Sequence, residues 1–272
     1  MLVEREESGP SADAPILMLD SGVGGLSVLT ALRHVLPQAP VIYAADLAGL
    51  PYGDKSEREI AARVAGLLGR MSERYQPRLA CIACNTASTI ALGMVRDVLE
   101  IPVVGTVPAI KPAASLTRSG VIGLLGTTAT IRQPYVDNLE AEFAAGKTLI
   151  RHAAPELVGE AEAMLRGEAA DADVVRRVVE GLRAHEHGEK IDTLVLACTH
   201  FPLLTEALTR ELGEDVTLVD GAEGIARRIA WLTREQDFAD APMRFVATGS
   251  EERLALYRPA LARYGFASTE LF

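Results

Sequence analysis

Short apolar runs alternate with longer segments of helical spacing, and this alternation restricts the fold more than any other feature of the chain. The first runs are ILML at 16–19, VIYAAD at 41–46 and LACIAC at 79–84. After the first run, LSVLTALRHVL places apolar residues every three to four positions, which predicts a helix. Strands that alternate with helices in this way form parallel sheets joined by right-handed crossovers. The sequence therefore predicts an α/β fold.

The same alternation of apolar runs and segments of helical spacing recurs in the second half of the chain. IPVVGT at 101–106 ends the first series, and VIGLLGT at 121–127, IDTLVLACTH at 191–200 and VTLVD at 216–220 form a second one. RHAAPELV is expected to be a short loop before a long helical region through Arg183, and a helix after RFVATGS is expected to end the chain. We therefore expect two lobes, each with a central, mostly parallel sheet flanked by helices.

Polar residues stand where the predicted strands end. LDSGVGG and LLGTTAT are small-residue loops after a strand, and ACNT and ACTH each place a cysteine and two polar residues after an apolar run. Ligands of open parallel sheets bind beyond the carboxyl ends of the strands. Two lobes that face each other would bring Cys84 and Cys198 to one cleft.

The composition excludes several classes of protein. A net charge of −10 makes a phosphate-binding surface for nucleic acid improbable. The charged N-terminal segment has no apolar core of a signal peptide, and no apolar run approaches the roughly 18 residues of a membrane span. The three cysteines do not suggest a secreted disulfide framework. We expect a cytoplasmic protein that binds neither nucleic acid nor membrane.

DSGVGG at 20–25 is rich in glycine but does not match a nucleotide-binding loop. Its glycines do not have the G-x-G-x-x-G spacing, and no Lys-Ser/Thr follows as in a P-loop. Glycine in a tight strand-to-helix turn is expected to serve the backbone conformation. Asp20 and Ser21 lie at the tip of the strand and are candidates to reach a cleft.

CIAC at 81–84 has the spacing of redox and zinc motifs. Together with Cys198 and His200 it would supply three thiolates and one imidazole. Residues three apart in a strand point to opposite faces, so Cys81 and Cys84 converge only if the strand ends between them. We expect no metal site, and we interpret Cys81 as a small buried apolar residue.

Cys84 and Cys198 suit a chemistry that needs two thiols. Each lies at a predicted strand-to-helix junction, where free N–H groups favour a carboxylate and a thiolate. A free thiol is only a few per cent ionised at pH 7, so a thiolate base needs help, for which Asp20 and His200 are the candidates. In a racemase one thiolate removes an α-proton while the other thiol delivers one to the opposite face.

Other functions are compatible with parts of this pattern. A pyridoxal enzyme needs a Schiff-base lysine, and none of the four lysines lies in such a strand-end motif. A hydrolase that uses Cys198 with His200 is one alternative. A binding protein of the same fold, without catalysis, is another.

The segments LDSGVGGLSVL, PYGDKSE, ACNTAS, PVVGTVPAIKPAA and LACTHFPLL, in this order, resemble the glutamate racemases of the Asp/Glu racemase superfamily. The resemblance runs from about Ile16 to the C-terminus. It implies interconversion of L- and D-glutamate without a cofactor, and D-glutamate for peptidoglycan. Aspartate racemases and related enzymes of the superfamily are the nearest alternative. They tend to have Cys-Thr-Glu where this chain has Cys-Thr-His.

The resemblance also implies an architecture and a set of site residues. It implies pseudo-symmetric lobes, the first from 15–106 plus 218–272 and the second from 107–217, after a flexible extension at 1–14, with the active site in the cleft between them. Cys84 and Cys198 would be the catalytic pair, assisted by Asp20 and His200, in an expected homodimer. The substrate-binding residues would be Asp20, Ser21, Pro51, Tyr52, Gly53, Asn85, Thr86, Thr127, Thr130, Thr199 and His200, with Glu156 as a further acidic residue near the second cysteine.

Overall fold

The computed structural model describes residues 9–272, which form two parallel sheets flanked by helices. The larger sheet has six strands in the order β10-β9-β2-β1-β3-β4, and the smaller has four in the order β6-β5-β7-β8. All pairings are parallel. The strands are β1 Ile16–Asp20, β2 Val41–Ala45, β3 Leu79–Ile82, β4 Val103–Gly105, β5 Val121–Gly126, β6 Thr148–Ala153, β7 Thr193–Leu196, β8 Thr217–Val219, β9 Arg244–Ala247 and β10 Ser268–Leu271.

Helices connect the strands on both faces of each sheet. They are α1 Leu26–Val35, α2 Glu57–Tyr75, α3 Asn85–Val98, α4 Ile110–Leu116, α5 Thr128–Ile131, α6 Pro134–Phe143, α7 Glu156–Leu165, α8 Ala172–Arg183, α9 Thr205–Leu212, α10 Ala222–Leu232, α11 Glu251–Ala255 and α12 Arg258–Arg263. Single 3-10 turns lie at 52–54, 188–190 and 201–204. Ser56 caps α2, since its Oγ accepts a hydrogen bond from the Glu59 N–H.

Burial on both faces explains why the strand sequences are continuously apolar. In β1, Ile16 and Met18 belong to the layer that contains α1 and α10, whereas Leu17 and Leu19 belong to the layer that contains α2 and α3. All four side chains are at most 1% exposed. A strand covered on both faces has no polar side to alternate with the apolar one. The predicted α/β fold with two lobes is confirmed.

Two strands were not predicted from the sequence, and both lie at sheet edges. β6 includes the first three residues of RHAAPELV, the segment expected to be a loop, and β10 follows the helices with which the chain was expected to end. Each pairs on one side only and carries partly exposed side chains, so its sequence lacks an apolar run. The long helical region through Arg183 is also divided into α7 and α8.

The boundary between the lobes differs slightly from the expected one. β8 pairs with β7 in the smaller sheet, so the second lobe extends to Val219, beyond the predicted end at 217. No helix among residues 9–272 has the length and apolar character needed to cross a membrane.

Part of the predicted flexible extension is attached to the first lobe. Residues 1–8 lie outside the described residues, but the segment from residue 11 is held by Arg78, whose side chain is buried just before β3. Its guanidinium donates five hydrogen bonds of 2.7–3.1 Å. The acceptors are the carbonyl oxygens of Ser11, Ala12, Ala14 and Asp237 and the side-chain oxygen of Gln236.

Replacement of Arg78 by lysine should destabilise the protein. A lysine offers three donors from one point and cannot reproduce the planar set of five, so several of these oxygens lose their partners. We expect Arg78→Lys to lower the free energy of unfolding by about 2–4 kcal/mol in urea titrations. Arg177→Lys on the exposed face of α8 is the control, with an effect within about 0.5 kcal/mol. Equal stability of the two variants would contradict the anchoring role.

Candidate active site

A cavity of about 290 Å³ lies between the two lobes, at the carboxyl ends of the strands of both sheets. This volume is near the lower end of the range for small-molecule sites, roughly 300–1,000 Å³. Both Cys84 and Cys198 border it. The other lining residues are Ser21, residues 50–54, Asn85, Thr86, Thr127, Pro155, Val158, Gly159, Glu162, Arg166, Thr199, His200, Arg253 and Tyr257.

Cys84 lies at the N-cap of α3, directly after β3. Its sulfur accepts a hydrogen bond from the Ala87 N–H at 3.5 Å, and its thiol donates to the Ser21 hydroxyl at 3.6 Å. Burial, together with the negative charge of Asp20, raises the pKa of Cys84 to about 12. In this structure Cys84 is therefore the protonated thiol, which is the form that donates a proton.

Cys198 has a different environment, dominated by a buried ion pair. His200 Nδ1 lies 3.8 Å from Cys198 Sγ, and His200 Nε2 lies 2.7 Å from Glu162 Oε1. Burial alone would lower the pKa of His200, but the thiol and the Glu162 carboxylate raise it well above its usual value. Burial would likewise raise the pKa of Glu162, but the hydrogen bond and charge of His200, together with the Tyr257 hydroxyl and the Val23 N–H, outweigh it, and the net pKa is lowered. His200 is thus an imidazolium between a sulfur and a carboxylate.

Asp20 lies behind the cavity and organises two hydroxyl groups at its wall. It is fully buried, and its oxygens accept from the Ser21 hydroxyl at 3.3 Å and the Thr199 hydroxyl at 3.0 Å. The Gly22 N–H donates to the same carboxylate at 2.8 Å. Since the two hydroxyl protons are directed to Asp20, the hydroxyl oxygens are left to accept hydrogen bonds, for instance from an ammonium group.

Three threonine hydroxyls form a triangle across the lobes. Thr86 lies 3.0 Å from both Thr127 and Thr130, and the latter two are 3.0 Å apart. Thr86 also belongs to the first turn of α3, whose N–H groups have no partner within the helix. Hydroxyl and N–H donors at a helix N-terminus are well suited to a carboxylate.

The loop at residues 50–54 is held over the cavity by a buried carboxylate at its base. The Tyr52 hydroxyl donates to Asp46 Oδ2 at 2.7 Å, and Asp46 is paired with Arg63 and hydrogen bonded by Thr248. Asp46 is fully buried, so its charge depends on these partners. Asp46 thereby fixes the Tyr52 hydroxyl, and residues 50–54 line the cavity.

The structure gathers most of the residues implied by the resemblance around one cavity. Asp20 and Thr130 do not border it, but each is hydrogen bonded to a residue that does. Glu156 is exposed at the start of α7 and does not line the cavity. The acidic residue that contacts His200 is Glu162, two turns further along the same helix. Its signal in the sequence was a carboxylate on the apolar face of α7, beside Ala161 and Leu165.

Cys81 and Cys84 lie in different layers of the first lobe, although β3 ends at Ile82, between them. Cys81 is fully buried in the apolar layer that also contains α1, whereas Cys84 belongs to the layer of α2 and α3. Among residues 9–272, no group of three or more histidine, cysteine or acidic side chains has a geometry that could hold a metal ion.

The glycines of the loop after β1 are explained by close packing rather than by an unusual backbone. None of Gly22, Gly24 and Gly25 has a positive φ, contrary to the conformational role expected for them. A Cβ on Gly24 would lie 2.5 Å from His200 Nδ1, and one on Gly22 would lie 2.6 Å from Glu162 Oε1. Gly22 and Gly24 lack side chains because the second lobe occupies that space, whereas a Cβ on Gly25 would meet Tyr43 and Asp20 of the first lobe.

Comparison with known proteins identifies relatives over nearly the whole chain. The family model described as Asp/Glu/Hydantoin racemase matches residues 27–229. The chain is 61% identical over 263 residues to a glutamate racemase of Sphingopyxis alaskensis. The alignment covers 96% of this chain and 98% of that protein.

Solved structures agree with this relationship. A crystal structure of Escherichia coli glutamate racemase, in complex with L-glutamate and the activator UDP-MurNAc-Ala, superposes with a TM-score of 0.89 at 42% identity and covers 95% of this chain and 98% of that one. Glutamate racemase isoform RacE1 of Bacillus anthracis superposes with a TM-score of 0.80 at 30% identity. The superposition covers 96% of this chain and 97% of that one.

A methyl group at Gly24 should displace the imidazole of His200. We expect Gly24→Ala to weaken the contact between His200 and Glu162 and hence to lower the pKa of His200 toward the ordinary value of about 6.5. The overpacking should also cost about 1–3 kcal/mol of stability. The pKa is read from the pH titration of the His200 ring proton by NMR, and the stability from urea unfolding.

Gly66→Ala is the matched control for this substitution. A Cβ at Gly66, on the exposed side of α2, meets no atom within 4 Å. Alanine there should leave the pKa of His200 unchanged and stabilise the helix by roughly 0.5–1 kcal/mol. If Gly24→Ala, like Gly66→Ala, leaves the pKa of His200 unchanged and does not lower the stability, the close approach of Gly24 to His200 does not constrain the protein.

Proposed function

The chain belongs to the Asp/Glu/hydantoin racemase family and interconverts L- and D-glutamate, and from this premise we propose that Cys84 and Cys198 are the two groups that move the α-proton. The observation that carries the proposal is that both thiols border one cavity and approach it from different lobes. D-Glutamate made in this way serves peptidoglycan synthesis.

Each thiol takes part in one proton transfer. The thiolate on one side of the substrate removes the α-proton and becomes a thiol, while the electron pair is delocalised into the α-carboxylate. The thiol on the other side then gives its proton to the opposite face of Cα and becomes a thiolate. The reverse reaction exchanges the two roles, so the protein requires no net gain or loss of protons.

The environments of the two thiols suit opposite forms at the start of a turnover. Burial keeps Cys84 protonated, with a pKa of about 12. The imidazolium of His200, beside Cys198, stabilises negative charge on that sulfur. We infer that His200 assists Cys198, and that Asp20 assists on the side of Cys84 through the Ser21 hydroxyl.

Substrate recognition is proposed to follow the polar groups at the cavity wall. The N-terminus of α3 with Asn85 and Thr86, together with Thr127, is suited to a carboxylate group. Ser21 and Thr199, whose protons are directed to Asp20, are suited to accept from the α-ammonium group. Pro51, Tyr52 and Gly53 close the cavity on the remaining side.

We further infer that the protein works in the cytoplasm as a homodimer. The three cysteines are free and buried, which fits a reducing compartment. Trp231 and Leu256 are each more than half exposed and are available for a contact between copies. Light scattering after gel filtration should give twice the monomer mass at micromolar concentration, and a monomer mass would contradict the dimer.

Serine at either catalytic position should abolish racemisation. A hydroxyl is a far weaker acid than a thiol at the same position, so we expect Cys84→Ser and Cys198→Ser each to lower kcat by about 10³-fold or more. The measurement is the loss of optical rotation of L-glutamate in D₂O, with NMR detection of deuterium at Cα.

Cys81→Ala is the control, because Cys81 is buried in the apolar core outside the cavity. It should retain kcat even if its stability falls. Normal racemisation by either serine variant would exclude the two-thiol mechanism.

A further inference from the structure

Tyr257 connects the first lobe to the charged group beside Cys198. It lies between α11 and α12, and its side chain is 3% exposed in the apolar layer with Leu254 and Leu261. Its hydroxyl donates a hydrogen bond to Glu162 Oε2, on α7. The other oxygen of that carboxylate, Oε1, faces His200 Nε2. A chain of contacts therefore runs from Tyr257 through Glu162 and His200 to Cys198.

α7 is in contact with both lobes. Leu157 and Ala161 pack in the apolar core of the second lobe, whereas Leu165, in the last turn, packs in the layer of the first lobe that contains Tyr257. Glu162 lies three residues before Leu165, on the same face of the helix. The Val23 N–H of the first lobe also donates to Glu162 Oε1, at 3.4 Å.

We propose that Tyr257 is a positioning residue that holds the Glu162 carboxylate across the cleft, so that His200 is oriented toward Cys198 only when the two lobes are closed. This inference rests on the proposed function, because it assigns Tyr257 to the Cys198 side of the two-thiol reaction. Tyr257 itself touches neither thiol within hydrogen-bonding distance.

The Tyr257 hydroxyl is suited to donate this hydrogen bond at every pH at which an enzyme works. Burial and the negative charge of Glu162 raise its pKa to about 12, so it stays protonated over the working range of an enzyme. A hydrogen bond from a neutral hydroxyl to a carboxylate is short and strong. Without it, one oxygen of Glu162 would lose its partner, and the carboxylate would be free to rotate away from His200.

The test is Tyr257→Phe, which keeps the aromatic ring in the core and removes only the hydroxyl. We expect kcat to fall by about tenfold, with a smaller change in KM, because none of the groups proposed to bind the substrate is changed. Tyr75→Phe is the matched control, since the Tyr75 hydroxyl also donates to a carboxylate, that of Glu270 on β10, outside the cavity. Tyr75→Phe should leave kcat unchanged.

Isotope effects separate a positioning role from a general loss of stability. L- and D-glutamate are equally stable, so the loss in kcat/KM must be the same in both directions. If proton transfer at Cys198 becomes slower, the α-deuterium isotope effect should increase for the enantiomer whose proton Cys198 removes, and decrease for the other. His200→Asn should change the two isotope effects in the same directions as Tyr257→Phe.

A double-mutant cycle with Glu162→Gln completes the experiment. Because Tyr257 acts through Glu162, the combined variant should be about as slow as Glu162→Gln alone. Unchanged kcat in Tyr257→Phe, losses that simply multiply, or isotope effects that keep their wild-type ratio would each overturn the inference. These outcomes are distinct from failure of the two-thiol mechanism, which would appear as normal turnover in Cys198→Ser.

Discussion

The site depends on the close approach of two backbones at the cleft. The loop after β1 lies so near the second lobe that a single Cβ on Gly24 would overlap the imidazole of His200. This approach brings Asp20 within hydrogen-bonding distance of Thr199 and places Glu162 against the Val23 N–H. A parallel sheet concentrates polar residues at its carboxyl edge, and two such edges in contact exclude water from the polar groups between them. Each charge in the cleft is therefore strongly influenced by its immediate neighbours.

That exclusion of water has opposite consequences for the two thiols. Cys84 has hydroxyl and N–H neighbours but no cation within hydrogen-bonding distance, so burial leaves it as a neutral thiol. Cys198 lies beside an imidazolium whose charge is kept by Glu162. A buried imidazolium without a carboxylate would lose its proton. The two thiols are alike in sequence context but differ in charge environment, since only Cys198 has the His200 imidazolium as a hydrogen-bonding neighbour.

Much of this arrangement could be predicted from the sequence, for identifiable reasons. Strands buried on both faces give continuous apolar runs, so β1, β3, β5 and β7, which carry the site, were recognised. Once these strands were located, the polar residues at their ends, including ACNT and ACTH, were located as well. The edge strands β6 and β10 were missed because half-exposed strands have no such pattern. Glu162 and Tyr257 were missed for a different reason, since their importance lies in contacts between segments 95 residues apart.

The contacts between the lobes at the cavity are largely hydroxyl groups, and this bears on how a substrate enters. Thr86 with Thr127 and Asp20 with Thr199 join the two lobes through hydrogen bonds that water can replace when the cleft opens. An apolar interface of the same extent would have to expose apolar surface to water in each cycle of opening. Glu162 also joins the lobes, since it accepts hydrogen bonds from two donors of the first lobe, the Val23 N–H and the Tyr257 hydroxyl. Any separation of the lobes would therefore remove both donors from the carboxylate that faces His200.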